Sequence, residues 1–436
     1  MLLIYSTKMT NRLRYIFDQI FPLMLGIDWN FTLDKQEFID FEGPKLNYSS
    51  RQFEEELFFY ASPLLFERGI KLQKIKMSTF EDIPIFFISN NNSDLPFDPF
   101  AASFYLISRY EEYLPSVKDQ HNRYPATNSL AYQEGFLQQP VVDKWVLKLQ
   151  QALAKRYPDI VFRKKDYCFI PSYDIDIAYA YRSKGVLRNL GGYASAIRYG
   201  NFKEIARRTR VLFQGEKDPY DTYKWQLNLH KKYDLRPIYF FLVGDYGVYD
   251  KNIPLINLEY QELIQIIGDH FDVGIHPSYQ SNEKKKILAQ EIENLSAVLK
   301  KRIDQSRQHY VKLNIPQTYQ DLIELDVRED FSMGYPSQLG FRASTASTYY
   351  FYDLNLEIKT NLRIFPFMVM DVTMRDYMKL SPEEGLAAVR KIINEVKAVD
   401  GLFMTLWHNN GLSDTHGWEG WRDVYEQIVE EAAADK

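Results

Sequence analysis

The stretch of sequence that decides the fold runs from residue 168 to residue 176 and reads Cys168-Phe169-Ile170-Pro171-Ser172-Tyr173-Asp174-Ile175-Asp176. Its first six residues read as a strand, and Asp174 and Asp176 follow where that strand ends. Because side chains two residues apart on an extended segment point the same way, both carboxylates would face one cavity. Like charges at close range need a cation or a proton between them, so the pattern indicates a metal site. The alternative is an ordinary loop with two solvated acids. For an Asp-x-Asp motif taken in isolation, this alternative is favoured.

A second polar interruption of an apolar run reads Gly274-Ile275-His276-Pro277-Ser278. His276 would stand at the end of a strand, and Gly274 would let backbone or a ligand approach closely. Neutral imidazole is the usual ligand of borderline metals, and Asp with His is a partial zinc set. A His packed as an ordinary structural group is the alternative. Any remaining ligand comes from elsewhere, and the candidates are Ser278, Gln280, Ser281 and His309.

A third interruption, Leu406-Trp407-His408-Asn409, closes another apolar run. A His with a pKa near 6.5 can protonate a leaving group near neutral pH, and Asp371 could orient the ring of His408. A His packed at a strand end is the alternative. Arg307 and Arg342 could hold a carboxylate base or a polar substrate, because the guanidinium fork donates hydrogen bonds in a fixed plane.

Composition bounds the class of protein. The length of 436 residues favours two or more units, each with its own core. The net charge of -5 gives no general attraction to phosphates, so a nucleic-acid partner is not expected. The single cysteine, Cys168, excludes an internal disulfide and is expected in the core. No apolar run approaches the roughly 18 residues that cross a bilayer, so we expect a cytoplasmic protein without a transmembrane segment.

Two parts of the chain differ in pattern. Residues 1–160 are predicted to form an accessory α/β domain that ends at the break Tyr157-Pro158-Asp159. Within it, residues 53–66 read as a helix. Residues 99–114 read as another helix, on which Arg109, Glu111 and Glu112 would pair along an exposed side.

From residue 166 onward, strands alternate with helices, which predicts an α/β fold with a parallel sheet or barrel and helices outside. In such folds, chemistry gathers at the carboxyl ends of the strands. The predicted strands are residues 167–173, 237–243, 273–275, 309–313, 339–342, 364–369 and 402–407. The predicted helices are residues 220–233, 259–270, 283–303, 319–325 and 382–398.

The order of these motifs resembles that of the polysaccharide deacetylase family, the NodB-homology carbohydrate esterases. In this sequence the order is Asp-x-Asp at residues 174–176, Gly-Ile-His-Pro-Ser at 274–278, a strand-borne Arg, and Leu-x-His at 406–408. The resemblance covers roughly residues 166–436. Residues 98–114 also resemble an uncharacterised N-terminal domain that a deacetylase-like subgroup carries.

This resemblance implies a distorted (β/α)7 barrel that hydrolyses an N-acetyl or O-acetyl group of a carbohydrate substrate with a metal-bound water. Position by position, it implies that Asp174 is the base and His408 the general acid. It also implies that Asp176 and His276 are metal ligands and that Arg307 orients the base. The implied cofactor is a divalent metal, with zinc as the first candidate. The sequence does not give the oligomeric state.

The chain departs from the family at the third metal ligand. Gln280 stands where a second His is usual, and an amide oxygen is a poor substitute for imidazole on zinc, while His309 stands where a Pro is usual. Either His309 completes the site, or the metal is bound weakly and the chain is a glycan-binding or scaffold protein on a deacetylase fold. Trp407 and Tyr279, beside the motifs, are candidate contacts to the sugar. A metal-dependent phosphoesterase is a further alternative, but such an enzyme would need more clustered His and Asp ligands than the sequence shows.

Overall fold

The computed structural model describes residues 1–89 and 92–434. The strands are, in chain order, β1 (Leu2–Ser6), β2 (Trp29–Thr32), β3 (Lys45–Ser49), β4 (Leu57–Tyr60), β5 (Ser78–Phe80), β6 (Ile83–Ile85), β7 (Cys168–Ile175), β8 (Ile238–Phe241), β9 (Asp272–Ile275), β10 (Gln305–Ser306), β11 (Glu329–Met333), β12 (Tyr349–Asp353), β13 (Ile358–Pro366), β14 (Val369–Met370) and β15 (Leu402–His408).

The α-helices are α1 (Asn11–Asp18), α2 (Lys35–Asp40), α3 (Pro99–Ile107), α4 (Leu130–Gln133), α5 (Val141–Arg156), α6 (Val186–Arg198), α7 (Phe202–Phe213), α8 (Tyr223–Lys232), α9 (Leu258–His270), α10 (Lys285–Leu299), α11 (Gln317–Glu324), α12 (Pro382–Lys397) and α13 (Trp421–Ala433). Within the described residues, no helix combines the length and the apolar character needed to cross a bilayer.

The N-terminal part is built on a parallel sheet in the order β2-β1-β3-β4. β1, at the start of the chain, lies in the middle of this sheet and leads into α1. The predicted helix at residues 53–66 is wrong, because this segment holds β4 and a 3-10 helix, Pro63–Phe66. Strands of a parallel sheet are covered on both faces and are therefore apolar along their length. The apolar run at the start of β4 is such a strand and not one face of a helix.

The larger sheet has nine strands in the order β12-β13-β11-β10-β9-β8-β7-β15-β14, and its pairs are parallel except for β12 with β13. β13 pairs with β11 near one edge, whereas β14 pairs with β15 at the other edge. Only Phe367 and Met368 separate the end of β13 from the start of β14. Two residues can connect strands near opposite edges of a sheet only if the sheet curls until these edges come close together. The expected distorted α/β barrel, with an additional N-terminal region, is therefore confirmed.

Two predicted strands of the barrel are wrong. The segment predicted at residues 309–313 begins with a 3-10 helix, His309–Val311, because the strand is the shorter β10, which ends at Ser306. Residues 339–342 are irregular and form no strand. Their backbone is held by the N–H of Phe341, which donates to the carbonyl of Leu137 in the N-terminal part.

Burial corrects two further predictions. Cys168 is exposed, because it is the first residue of β7 and lies outside the covered part of the sheet. Arg109, Glu111 and Glu112 are buried, because they follow α3 in a 3-10 helix that faces the barrel and pair there with each other. The pairing was expected, but its place in the interior was not.

The N-terminal part and the barrel share one hydrophobic core. Side chains of β1, β3, α1, α3 and α5 pack in the same cluster as side chains of β12 and β13. A second cluster fills the rest of the barrel, between the sheet and α8, α9, α12 and α13. The division of the chain between residues 160 and 166 stays a prediction.

Candidate metal centre

Four polar side chains meet at the carboxyl edge of the large sheet. Asp174 lies within β7 and Asp176 directly after it, while His276 follows β9. His408 ends β15, which pairs with β7 so that His408 lies opposite Asp174. This is the edge at which α/β barrels carry their chemistry. The strand ends that the sequence indicated therefore lie close together.

His309 joins this group from the 3-10 helix after β10. The Nε2 atom of His276 lies 3.1 Å from Oδ1 of Asp176, and that of His309 lies 3.4 Å from Oδ2. One ligand atom from each of these three residues lies within 4.8 Å of the others. Asp176, His276 and His309 therefore form a set that could hold one metal ion.

Two buried atoms of this set suit a bound cation. Oδ1 of Asp176 and Nε2 of His276 are both buried, and neither has a hydrogen-bond partner among the described residues. Buried polar atoms are rarely left without a partner, and a bound ion is one explanation. Two imidazole nitrogens and a carboxylate oxygen are a donor set that zinc accepts. The residues present fit a divalent cation.

The other ring nitrogen of each ligand His is held by the protein. Nδ1 of His276 donates to the backbone carbonyl of Arg307 at 2.6 Å, and Nδ1 of His309 donates to Oδ1 of Asp250 at 2.9 Å. Such contacts fix the tautomer and leave Nε2 for the metal. Asp250 also accepts the backbone N–H of Tyr279 at 2.9 Å, so its carboxylate is itself held in place.

His408 is oriented in the same way, by Asp371. Nδ1 of His408 donates to Oδ1 of Asp371 at 2.7 Å, and the backbone N–H of His408 donates to Oδ2 at 2.9 Å. Its Nε2 lies 3.6 Å from Oδ2 of Asp176, so it faces the candidate metal set. Asp371 is fully buried and lies directly after β14, the neighbour of β15.

Asp174 is held by Arg307, which lies directly after β10. Nη1 of Arg307 donates to Oδ1 of Asp174 at 3.1 Å, and Nε donates to the backbone carbonyl of Phe331 at 3.0 Å. The guanidinium also lies 4.4 Å from the centre of the Phe240 ring. Oδ2 of Asp174 lies 3.6 Å from Nε2 of His276, so one carboxylate oxygen is fixed and the other faces the site.

The electrostatics of the site attract positive charge. Burial by itself lowers the pKa of His309, but Asp176 and Asp250 raise it to about 9. Burial likewise lowers the pKa of His408, but Asp371 and Asp176 raise it to about 10. Burial raises the pKa of Asp176, yet His309, His276 and His408 hold it well below its usual range. The field that keeps protons on these rings also favours a bound cation.

The metal set opens into a cavity of about 300 Å³. Aromatic side chains form much of its wall: Tyr249, Tyr310, Tyr377 and Trp418. Arg123 of the N-terminal part also lines it, donating to the backbone carbonyl of Tyr310 at 2.6 Å and to the Tyr377 hydroxyl at 3.3 Å. The sequence motifs indicate neither these residues nor Asp250, because the segments that carry them show no recognisable pattern.

Four residues that the sequence suggested lie elsewhere. Gln280 is exposed and is not part of the metal set, so the structure brings His309 and not Gln280 to Asp176. Trp407 is fully buried and packs on Tyr425, with ring centres 4.6 Å apart. Tyr279, which was expected to contact a sugar, stacks on Tyr249 behind the cavity wall, with ring centres 4.1 Å apart. Arg342 is buried beside Glu112, away from the cavity.

Comparisons with known proteins give a partial family match and distant structural neighbours. A family of unknown function, DUF7033, matches residues 2–158. The curated proteins contain no match to this chain.

Among solved structures, a chain from Mycobacterium smegmatis assigned as a polysaccharide deacetylase is 14% identical, with a TM-score of 0.41 over 63% of this chain and 87% of that one. Puue allantoinase is 9% identical, with a TM-score of 0.39 over 62% and 85%. A CE4 family pseudoenzyme from Bacillus anthracis is 11% identical, with a TM-score of 0.29 over 61% and 62%. At these values, the likeness says nothing about which reaction this chain carries out.

Proposed function

We propose that this protein is a metal-dependent hydrolase that removes acetyl groups from a carbohydrate. The observation that carries the proposal is the pair of oriented groups beside the metal set. Asp174 is held by Arg307, and His408 is held by Asp371, which lies directly after the adjacent strand β14. Acyl hydrolysis with acid and base catalysis needs a fixed carboxylate and a fixed imidazole, and both lie beside the residues that would hold a cation. The motif order, which resembles the deacetylases, supports the same reaction.

In the proposed mechanism, Asp176, His276 and His309 would hold a divalent cation. A bound divalent cation supplies Lewis acidity, which polarises an acyl oxygen and lowers the pKa of water. Asp174 takes a proton from the attacking water through Oδ2, the oxygen that Arg307 leaves free. His408 gives the proton on Nε2 to the departing amine or alkoxide, while its Nδ1 proton stays with Asp371. The two proton-transfer groups therefore act from neighbouring strands.

The cavity wall supports a carbohydrate as the substrate class. Tyr249, Tyr310, Tyr377 and Trp418 line the space beside the metal set. Aromatic rings with a polar edge present an apolar face to the C–H side of a sugar ring and a donor to its hydroxyls. The acetyl group would be recognised next to the cation, and the sugar would lie against these rings.

Acetate release from acetylated amino-sugar oligomers tests the proposal. Wild-type protein loaded with zinc should release acetate, and Asp174→Asn and His408→Ala should each lower the rate by roughly 10²-fold or more. His309→Ala should lower zinc affinity by about tenfold or more, whereas the matched change Gln280→Ala, at an exposed position, should leave it unchanged.

Two outcomes would contradict the assignment. Equal acetate release by wild type, Asp174→Asn and His408→Ala would exclude the mechanism. A zinc-loaded wild type that releases no acetate but binds the oligomers would show a glycan-binding protein on the same fold. Circular dichroism spectra of all variants would establish that the substitutions leave the fold intact.

A further inference from the structure

The helices α6 and α7 form a hairpin that keeps almost none of its apolar side chains inside. Only Ala196 of α6 and Val211 of α7 are buried. By contrast, large apolar side chains on the outer side are 57% to 86% exposed: Val186, Leu187, Leu190, Ile197, Phe202 and Phe213. Soluble proteins rarely leave contiguous apolar surface of this kind uncovered.

The exposed apolar residues of α6 lie on one face. At 100° per residue, Val186, Leu187, Leu190 and Ile197 fall within an arc of about 100°. On α7, Phe202 and Phe213 are eleven residues apart, which is close to three full turns, so they also share a face. On α6 these side chains form a row, whereas α7 has one exposed Phe at each end; we call both sets the apolar stripes, and their side chains stay exposed among the described residues.

Polar contacts hold the inner side of the hairpin together. Arg208 donates to the Asn189 side chain at 2.9 Å, and Tyr193 and Thr209 are joined through their hydroxyl groups at 3.0 Å. Gly192 lies against the Arg208 guanidinium, where a Cβ atom would come within 2.4 Å. The hairpin thus has its polar contacts inside and its apolar side chains outside, the reverse of a helix pair that packs on a core.

The loop after β8 extends the same surface. Arg188 of α6 donates to the backbone carbonyls of Lys251 at 2.7 Å and Asn252 at 2.9 Å, and its guanidinium lies 4.3 Å from the centre of the Tyr246 ring. Val248, Ile256 and Leu258 of this segment are exposed as well. We name the residues 186–213 together with 246–258 the basic apolar surface.

The charge of this surface is opposite to that of the chain. Residues 186–213 and 246–258 together contain seven Lys and Arg, one Glu and one Asp, so the basic apolar surface carries a net charge of +5 in a chain of net charge -5. Arg198, Lys203 and Arg210 stand exposed beside the apolar stripes. Helices that combine an exposed apolar face with clustered positive charge are typical of segments that lie in a membrane interface.

We propose that the basic apolar surface binds to the surface of an anionic lipid bilayer. The apolar stripes would enter the boundary between headgroups and acyl chains, while the Lys and Arg side chains contact anionic headgroups. A second copy of the chain fits less well, because a two-fold contact would bring two surfaces of charge +5 together. Nucleic acid would neutralise the charge but would leave the apolar side chains uncovered.

This proposal is independent of the hydrolytic function, but the two sites adjoin. Tyr249 and Lys251 belong to the basic apolar surface and also line the cavity of the metal centre. A protein bound through this surface would hold the mouth of that cavity close to the lipid headgroups.

Co-sedimentation of the full chain with lipid vesicles tests the proposal. The wild type should pellet with vesicles of phosphatidylcholine mixed with phosphatidylglycerol, and should stay in solution with phosphatidylcholine alone. Leu187→Ser, Leu190→Ser and Ile197→Ser combined should weaken binding by more than about tenfold, because each removes a large side chain from the lipid contact. Arg198→Glu combined with Lys203→Glu should weaken it by about fivefold per charge removed and reduce its salt dependence.

Matched controls replace residues of similar exposure elsewhere on the protein. Leu72→Ser and Val161→Ser, at side chains 83% and 86% exposed, and Lys164→Glu should leave vesicle binding unchanged. A wild type that never sediments with mixed vesicles would overturn the proposal, as would surface variants that bind like the controls. An oligomer that the triple Ser variant dissociates, with no vesicle binding by the wild type, would assign the surface to contacts between copies instead.

Discussion

His230 in α8 should make the protein sensitive to acid. Its ring is buried, with Nε2 2.7 Å from the Tyr173 hydroxyl, and Nδ1 has no hydrogen-bond partner among the described residues. Burial lowers the pKa of His230 to about 3. Between pH 6.5 and about 3, the unfolded chain therefore binds a proton that the folded protein does not, and the free energy of unfolding falls as the pH falls. At pH 5 the loss should be about 2 kcal/mol relative to pH 7.

His230→Gln tests this expectation, because it keeps a polar side chain without a titrating ring. Denaturant unfolding at pH 7 and pH 5 should show a difference between the two pH values that is smaller by about 2 kcal/mol in the variant. His270→Asn, at an exposed His on α9, is the control and should keep the wild-type difference. An identical pH dependence in wild type and His230→Gln would show that His230 is not the responsible group.

Sequence patterns predict individual site residues where strand ends mark them. Asp174, Asp176, His276 and His408 each follow an apolar run, and parallel strands bring such ends to one edge. The choice between His309 and Gln280 depends on how the chain turns after β10, where Tyr310 has a φ of 59°. This turn lies outside any apolar run, so the sequence pattern does not predict it. The roles of these residues in binding and catalysis stay predictions.

Gly274 in β9 keeps its neighbouring elements in place. A Cβ atom there would lie 2.6 Å from the Phe240 ring on β8 and 2.9 Å from the backbone carbonyl of Gln305 on β10. The expected close approach is therefore confirmed, and the approaching group is protein. Because β10 leads to Arg307 and His309, we expect Gly274→Ala to lower the free energy of unfolding by about 1–3 kcal/mol and to weaken zinc binding.

Thermal unfolding and zinc titration check this prediction. The control is Gly191→Ala in α6, where a Cβ atom meets nothing within 4 Å. There the change should raise stability by about 0.5–1 kcal/mol, since Ala favours a helix more than Gly does. Unchanged stability and zinc affinity in Gly274→Ala would mean that β8 and β10 move apart at no cost.

Elements are predictable where their apolar pattern is long enough. β7 and β15 are long strands of eight and seven residues in which most side chains are apolar, and α9 and α12 have clear helical periods. β10 has two polar residues, Gln305 and Ser306, so its pairing with β9 and β11 leaves no signal in the sequence. The hairpin of α6 and α7 escapes prediction for another reason, since its apolar stripes do not face a core.

At the scale of the whole molecule, a buried ion network joins the N-terminal part to the barrel. Arg342 contacts Glu112 through Nη2 at 2.6 Å and Nε at 2.9 Å, and Arg109 contacts it through Nε at 2.8 Å. Burial by itself raises the pKa of Glu112, but Arg342 and Arg109 lower it to about 2. Glu112→Gln would leave both guanidinium groups buried without this carboxylate, and should cost about 3–5 kcal/mol of stability.

Denaturant unfolding of Glu112→Gln measures this cost, and an exposed pair supplies the control. Arg390 and Glu431 form an exposed ion pair between α12 and α13, so Arg390→Met should lower the free energy of unfolding far less than Glu112→Gln. A Glu112→Gln variant as stable as Arg390→Met would show that the network does not hold the two parts together.

Composition and pattern predict the α/β architecture of the whole chain but not how its parts meet. The alternation of strands and helices after residue 166 is enough for a barrel. The shared core and the Glu112 network depend on contacts between residues more than two hundred positions apart, such as Glu112 with Arg342. Local patterns do not encode such distances.

The pairing of β7 with β15 has a consequence for the newly made chain. β7 begins at residue 168, yet the neighbour that covers one of its edges begins at residue 402. A nascent chain therefore exposes an open strand edge throughout the synthesis of the intervening segment, and open edges are templates for aggregation. Chains that stop before β15 should aggregate, and the cluster around Asp176 can form completely only after His408 has left the ribosome.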